Sequence, residues 1–154
     1  MHPQSKSGKL AQLERLCREK GIPLTVQRRV IFEAAMERDD HPTADQIYDV
    51  VHTRIPGVSK TTVYRVLDKF VQMRLIRPLN HSGSSLRFDP KTHQHHHLVC
   101  VQCGHVADLE DHVLDSLPLT PNLPNDFSVT DYSIHFFGLC KECGGGGQVR
   151  MAKE

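Results

Sequence analysis

Cys100/Cys103 and Cys140/Cys143 form two Cys-x-x-Cys pairs with 36 residues between Cys103 and Cys140. Four thiolates can close a tetrahedral zinc site, because zinc accepts soft sulfur at all four corners and a short x-x turn aims both sulfurs of a pair inward. Such a site leaves no open coordination position, so the ion it predicts is structural, tying together distant segments of a region with little core of its own. A redox pair and disulfides are the competing uses of the same residues. Cys17 is left over. It falls on the apolar side of an expected helix with Leu10, Leu13 and Leu16, where a buried, inert thiol is expected.

A second donor cluster lies beside the first. Eleven histidines occur in 154 residues, and four of them fall within His93-Gln94-His95-His96-His97. In an extended strand alternate residues share a face, which sends His93, His95 and His97 one way and His96 the other. Asp89 precedes the first cysteine pair and Asp108 follows it. Imidazoles with carboxylates form a mixed nitrogen and oxygen site suited to Fe(II), Mn(II) or zinc. His41, further upstream, could add a ligand. A metal gripping both halves of the chain would fix their relative angle, and only one angle fits both half-sites of a DNA duplex. The remaining histidines read differently: His2, His52, His81 and His112 as solvated, His105 and His135 as satisfied polar positions.

The elements that must position these groups follow from periodicity and punctuation. Lys9 to Lys20 carries apolar residues at helical spacing and stops at Gly21. Thr25 caps an expected second helix with Val26, Val30, Ile31, Ala34 and Ala35 inward. Thr43 caps a third through Ala44, Ile47, Tyr48, Val50 and Val51, and Ser59 a fourth with Val63, Val66, Leu67, Phe70 and Met73. After Arg74, Leu75–Leu79 and Leu86–Asp89 flank a His81–Ser85 loop and read as a β-hairpin. Helix, turn, helix and hairpin is the order of a winged helix-turn-helix, whose second helix enters the major groove. Lys60, Thr61, Thr62, Tyr64 and Arg65 then face outward, with groups able to bond phosphates or base edges. The second half reads as α+β: strands at His97–Cys100, His105–Leu109 and Phe127–Leu139, and a short helix around Val113 ended by Pro118. Its apolar residues are too many for a lone small sheet, so a dimer interface is expected there.

Charge divides the same way. Residues 1–90 hold 15 Lys/Arg against 10 Asp/Glu, and residues 91–154 hold 4 against 8. A basic half suits a polyanion and an acidic, histidine-rich half suits a cation. The expected organisation is a winged-helix DNA-binding domain over 1–90, a small α/β dimerisation domain over 91–145 and a flexible tail over 146–154. With no apolar run of membrane-spanning length and no signal-peptide core, a cytoplasmic address is expected.

These features together resemble the ferric uptake regulator (Fur) family of bacterial metal-dependent repressors. The resemblance rests on Leu24-Thr25-Val26-Gln27-Arg28-Arg29, on His41-Pro42-Thr43-Ala44-Asp45-Gln46-Ile47-Tyr48 and on Val58-Ser59-Lys60-Thr61-Thr62-Val63-Tyr64-Arg65. It continues through Arg87-Phe88-Asp89, the run from His95 to Gly104, and Cys140-Lys141-Glu142-Cys143. The resemblance implies a homodimer on double-stranded operator DNA, with structural Zn(II) at Cys100, Cys103, Cys140 and Cys143. It implies a regulatory Fe(II) or Mn(II) at His41, Asp89, His95, His97 and Asp108, and operator contacts from Tyr64 and Arg65. The three-His, two-Asp set is similar to the peroxide-sensing PerR branch, in which Fe(II) and hydrogen peroxide oxidise ligand histidines that map to His41 and His95. Peroxide is then the only small molecule involved, as a signal. A further family site looks degraded: His96 and Asp115 are its candidates, but Tyr132 stands where many members have a histidine.

The nearest rival reading is an iron- or zinc-responsive uptake regulator of the same family without peroxide chemistry. A metallohydrolase would need an open coordination position and a placed general base, and no His-Glu-x-x-His or similar motif is present, so no enzymatic activity is expected. A metallohydrolase would also leave the helical half without a role. In a zinc-ribbon interaction module without DNA binding, alanine at Tyr64 and Arg65 should leave all activity unchanged.

Overall fold

The structure, a computed structural model, describes residues 6–80, 85–118, 124 and 126–144. The chain divides between Thr92 and His93 into two compact units, two residues beyond the expected boundary. The expected hairpin loop, apart from Ser85, lies outside the described residues, as do His2, His81 and the tail beyond Gly144.

The first unit contains helices α1 (Lys6–Glu19), α2 (Val26–Met36), α3 (Ala44–Arg54) and α4 (Lys60–Gln72), then strands β1 (Arg77–Leu79) and β2 (Arg87–Asp89). Three helices start where a hydroxyl can satisfy an exposed backbone donor. The Thr25 side chain accepts from Arg28 N–H, Thr43 from Gln46 N–H and Ser59 from Thr62 N–H. At α3 the Gln46 side chain returns the bond to Thr43 N–H, completing a capping box. Helix α4 ends with Arg74 in the left-handed region at φ 56°, and Leu75 N–H reaches back to the Phe70 carbonyl.

Side chains at helical spacing bury one face of each helix. Leu13 and Cys17 meet Ile31, Phe32, Ala34, Ala35, Ile47, Val51, Val63, Leu67 and Phe70, and Phe88 of β2 closes the cluster. Phe32 and Phe70 pack edge to face with centroids 5.3 Å apart. Cys17 is buried, as expected. Val26 is not on the buried face: as the first residue of α2 it lies beyond the core and is 74% exposed. Strands β1 and β2 pair antiparallel, with Arg77 opposite Asp89 and Leu79 opposite Arg87. This is the wing expected from the sequence.

The second unit holds β3 (His96–Cys100), β4 (Val106–Leu109), the short helix α5 (His112–Asp115) and β5 (His135–Gly138), followed by a 3-10 turn at Lys141–Cys143. The sheet order is β4-β3-β5, with β4 antiparallel and β5 parallel to β3. The expected long strand over Phe127–Leu139 shrinks to four residues. Its pairing is limited by the five residues of β3, and before it Asp131 turns its carboxylate onto Tyr132 N–H instead of entering a ladder. Apolar burial here is slight: among the described residues only Val99, Cys100 and Val106 are buried hydrophobics. Leu98 and Phe136, neighbours in register, stay exposed with Phe137. Among the described residues no helix is long and apolar enough to cross a membrane.

Candidate functional site

Parallel pairing of β3 and β5 brings both cysteine pairs to one end of the sheet. Cys100 closes β3 opposite Gly138, so Cys140 follows two residues past the neighbouring strand. A turn after β3, closed by Gly104 N–H on the Cys100 carbonyl, brings Cys103 back, and Gly104 takes the φ of 72° that the turn requires. The 3-10 turn does the same for Cys143, whose N–H donates to the Cys140 carbonyl at 3.0 Å.

The four sulfurs all lie within 4.8 Å of one another, and Cys103 Sγ is 3.7 Å from Cys140 Sγ. Corners of a tetrahedron with Zn–S bonds of about 2.3 Å are about 3.8 Å apart, so the four thiols fit zinc. They are too far apart for a disulfide at about 2.05 Å, and all five cysteines are free. Backbone N–H groups of Cys103 and Cys140 face the Cys100 sulfur and hold its thiol down at about 6. The Cys140 and Cys103 sulfurs crowd Cys143 and push it up to about 12. Four thiolates side by side repel one another, and soft sulfur donors in this geometry suit a divalent ion such as Zn(II).

The mixed-donor residues are prepared separately in each unit. In the first unit β2 is zippered to the loop between α2 and α3: Phe88 N–H donates to the Pro42 carbonyl at 2.9 Å and the Arg87 guanidinium to the His41 carbonyl at 2.9 Å. Thr43 and Arg87 form a further bridge. These contacts set Asp89 beside His41, with Nε2 to Oδ1 at 3.9 Å and both side chains buried. His41 takes φ 53°, a left-handed conformation uncommon for a non-glycine residue and enriched at functional sites. The Lys91 N–H also donates to Asp89 Oδ1 at 2.8 Å, which orients the carboxylate.

In the second unit Asp108 on β4 pairs in register with His97 on β3. Its Oδ1 lies 3.4 Å from His95 Nε2 and 3.9 Å from His97 Nε2, and the two rings meet edge to face at 4.7 Å. The His93 carbonyl lies 3.0 Å from His95 Nδ1, so it can accept a hydrogen bond from Nδ1–H, the tautomer that presents the Nε2 lone pair to a metal. Two imidazoles and a carboxylate grouped this closely suit a divalent ion of intermediate softness. His93 lies before the start of β3 and turns to Glu110 at 3.1 Å, so it does not extend the set. His135, read as a satisfied polar position, packs edge to face on His97 at 5.1 Å. Only the parallel register of β5 reveals that contact.

The suspected further site is a hydrogen-bonded cluster. His96 Nε2 meets Asp115 Oδ1 at 3.1 Å, and Ile134 N–H donates to His96 Nδ1 at 3.2 Å. The Tyr132 ring stacks on His96, and its hydroxyl donates to the Leu114 carbonyl at 2.6 Å. Both ring nitrogens of His96 are engaged. Among the described residues His96 and Asp115 join no group of three potential metal ligands.

On α4, Lys60, Thr61, Tyr64 and Arg65 are exposed and Thr62 is half-buried, opposite the buried face of Val63, Leu67 and Phe70. Lys60 Nζ reaches Asp45 Oδ1 at 2.8 Å and lies 5.3 Å above the Tyr48 ring, a link between α3 and α4 that the sequence alone does not reveal. The Lys60 ammonium holds the Asp45 carboxyl below the usual range.

Comparison with known proteins places this geometry. The model of the Ferric uptake regulator family matches residues 19–137. The peroxide-responsive repressor PerR of Staphylococcus epidermidis is 35% identical over 126 residues, covering 82% of this chain and 84% of that protein. The Helicobacter pylori ferric uptake regulator Fur shares the fold, with a TM-score of 0.72 at 19% identity over 94% of this chain and 97% of its own. The structure of GAS PerR-Zn-Zn matches with a TM-score of 0.52 at 26% identity, covering 93% and 92% of the two chains. The α+β architecture of helices followed by a dimerisation sheet is thus the family's, and the chain belongs to the ferric uptake regulator family of metal-dependent transcriptional regulators, which are not enzymes.

Proposed function

We propose that the chain is a dimeric, DNA-binding repressor that senses hydrogen peroxide. In this reading Zn(II) at Cys100, Cys103, Cys140 and Cys143 is permanent, and one Fe(II) or Mn(II) takes ligands from His41, Asp89, His95, His97 and Asp108. The observation that carries the reading is the donor set: Asp108 facing His95 and His97 in one unit, and Asp89 facing His41 in the other. The relatives named as peroxide-responsive repressors support the same branch.

Bound Fe(II) would supply the redox chemistry by which one peroxide oxygen goes to an imidazole carbon and the other leaves as water. The protein's part is to keep His41 and His95 buried and oriented so that the oxidation falls on them. An oxidised imidazole is a poorer ligand, so the regulatory metal is lost and operator binding is lost with it. Lys60, Thr61, Thr62, Tyr64 and Arg65 of α4 face the operator. Leu98 and Phe136, side by side on one open face of the sheet, are covered by the second copy. With its ligands held inside the cell's reducing compartment, the protein is cytoplasmic in this reading.

The test is DNA release. Protein loaded with Fe(II) under anaerobic conditions should leave promoter DNA within minutes of adding limiting peroxide, and protein loaded with Mn(II) should stay bound. Equal retention by both forms, with binding still dependent on metal, would assign the chain to the iron- or zinc-uptake regulators instead.

A further inference from the structure

Lys9, in the first helix, is the one lysine of the described residues that is fully buried, at 2% exposure. Buried lysines are rare because an ammonium loses its hydration, and one that persists is held by a specific environment. Here Nζ donates to Thr92 Oγ1 at 2.6 Å, across 83 residues of sequence. Thr92 ends the short turn that starts at Asp89 and is closed by Lys91 N–H on the Asp89 carboxylate. The ammonium is thus pinned to the turn that carries Asp89, itself 1% exposed. Burial pulls Lys9 below the ordinary lysine range, the Asp89 charge pulls it back up, and the Arg77 guanidinium pushes it further down.

We propose that Lys9 is a built-in counter-cation that sets the metal affinity of the regulatory site by competing with the metal for Asp89. The inference rests on the reading of Asp89 as a regulatory ligand. Without metal, the ammonium offsets the charge of the buried Asp89 carboxylate, adding to the hydrogen bond from Lys91 N–H. With a divalent ion on Asp89, the same ammonium becomes a like charge held close by in a medium of low dielectric. Both effects lower affinity, so the protein fills its sensor site only when free metal is high enough to overcome them. The Thr92 bond keeps the ammonium from retreating to solvent.

Mn(II) binding to the zinc-loaded full-length protein, measured by equilibrium dialysis beside thermal melts with and without Mn(II), decides the point. Lys9→Met removes the charge at similar volume, Lys9→Gln removes it but keeps a donor for Thr92, and Lys9→Arg keeps the charge. Both neutral variants should bind Mn(II) ~10-fold tighter or more and show a larger metal-induced rise in Tm, mainly because their metal-free forms melt lower. Lys9→Arg should stay within about threefold of wild type. Neutral variants that fold but bind Mn(II) no tighter than wild type overturn the role of Lys9 while leaving the site intact. If neither neutral variant folds and Lys9→Arg does, Lys9 is a structural ion-pair member and the tuning role is likewise overturned. A wild-type protein that takes up no Mn(II) beyond its zinc refutes the site itself, and the inference with it.

Discussion

Replacing Cys140 and Cys143 together with serine should unfold the second unit and leave the helical unit folded. The reason is the imbalance in what each unit buries. The first unit has a core of 17 buried residues drawn from α1 to β2. The second buries Val99, Cys100 and Val106 among its described residues. Two valines contribute roughly 3–6 kcal/mol at ~1.5–3 kcal/mol each, and this is an upper bound because unfolded chains already bury part of that surface. A structural zinc contributes ~10–16 kcal/mol in small domains that depend on it, more than the valines can supply. Far-UV circular dichroism and limited proteolysis of the purified variant form the assay, with sedimentation velocity to follow the dimer. The helical signal should persist, cleavage should concentrate beyond Thr92, and the dimer should dissociate because its sheet is gone. A variant that keeps β3–β5 protected and remains dimeric without zinc would refute the reasoning. It would mean that the proposed dimer contact through Leu98 and Phe136 suffices to hold the sheet.

Other outcomes follow from single contacts. Tyr64→Ala and Arg65→Ala remove exposed side chains, so the fold should hold while promoter binding weakens by about 1–3 kcal/mol for each that reads a base, measured by fluorescence anisotropy. Thr43→Ala breaks the capping box at α3 and should cost about 1 kcal/mol, seen as a fall of a few degrees in Tm. Arg54 bonds Glu37 between the ends of α3 and α2 and holds that carboxyl below its ordinary value of 4.5. The stabilisation is complete above pH 4.5 and lost as pH falls through the depressed value, so Arg54→Ala should flatten that part of the acid melting profile.

The helical unit was largely readable from sequence because its signals are local. Thr25, Thr43 and Ser59 each cap the helix they precede, and the inward residues of α4 repeat at three and four as its buried face requires. The gathering of the four cysteines was readable for a different reason, since two Cys-x-x-Cys pairs in one chain have few other uses. What failed was non-local. The length of β5 is set by its partner β3, so apolar alternation overstated it. The exposure of Val26 depends on where the core ends rather than on helical phase. The left-handed backbone of His41 follows from β2 docking on its loop, and nothing in His41-Pro42-Thr43 reveals that pairing. Lys9 carried no signal at all: in a helix sequence it reads as a solvated lysine, and only the approach of Thr92 from 83 positions away explains its burial.

The most direct test of the central claim is peptide mass spectrometry on protein loaded anaerobically with Fe(II) and then given limiting hydrogen peroxide. A gain of one oxygen is expected at His41 or His95, absent from Mn(II)-loaded protein and from an Asp108→Ala variant that no longer presents a carboxylate to His95. Unmodified histidines in Fe(II)-loaded protein, with DNA binding still following metal, would contradict it.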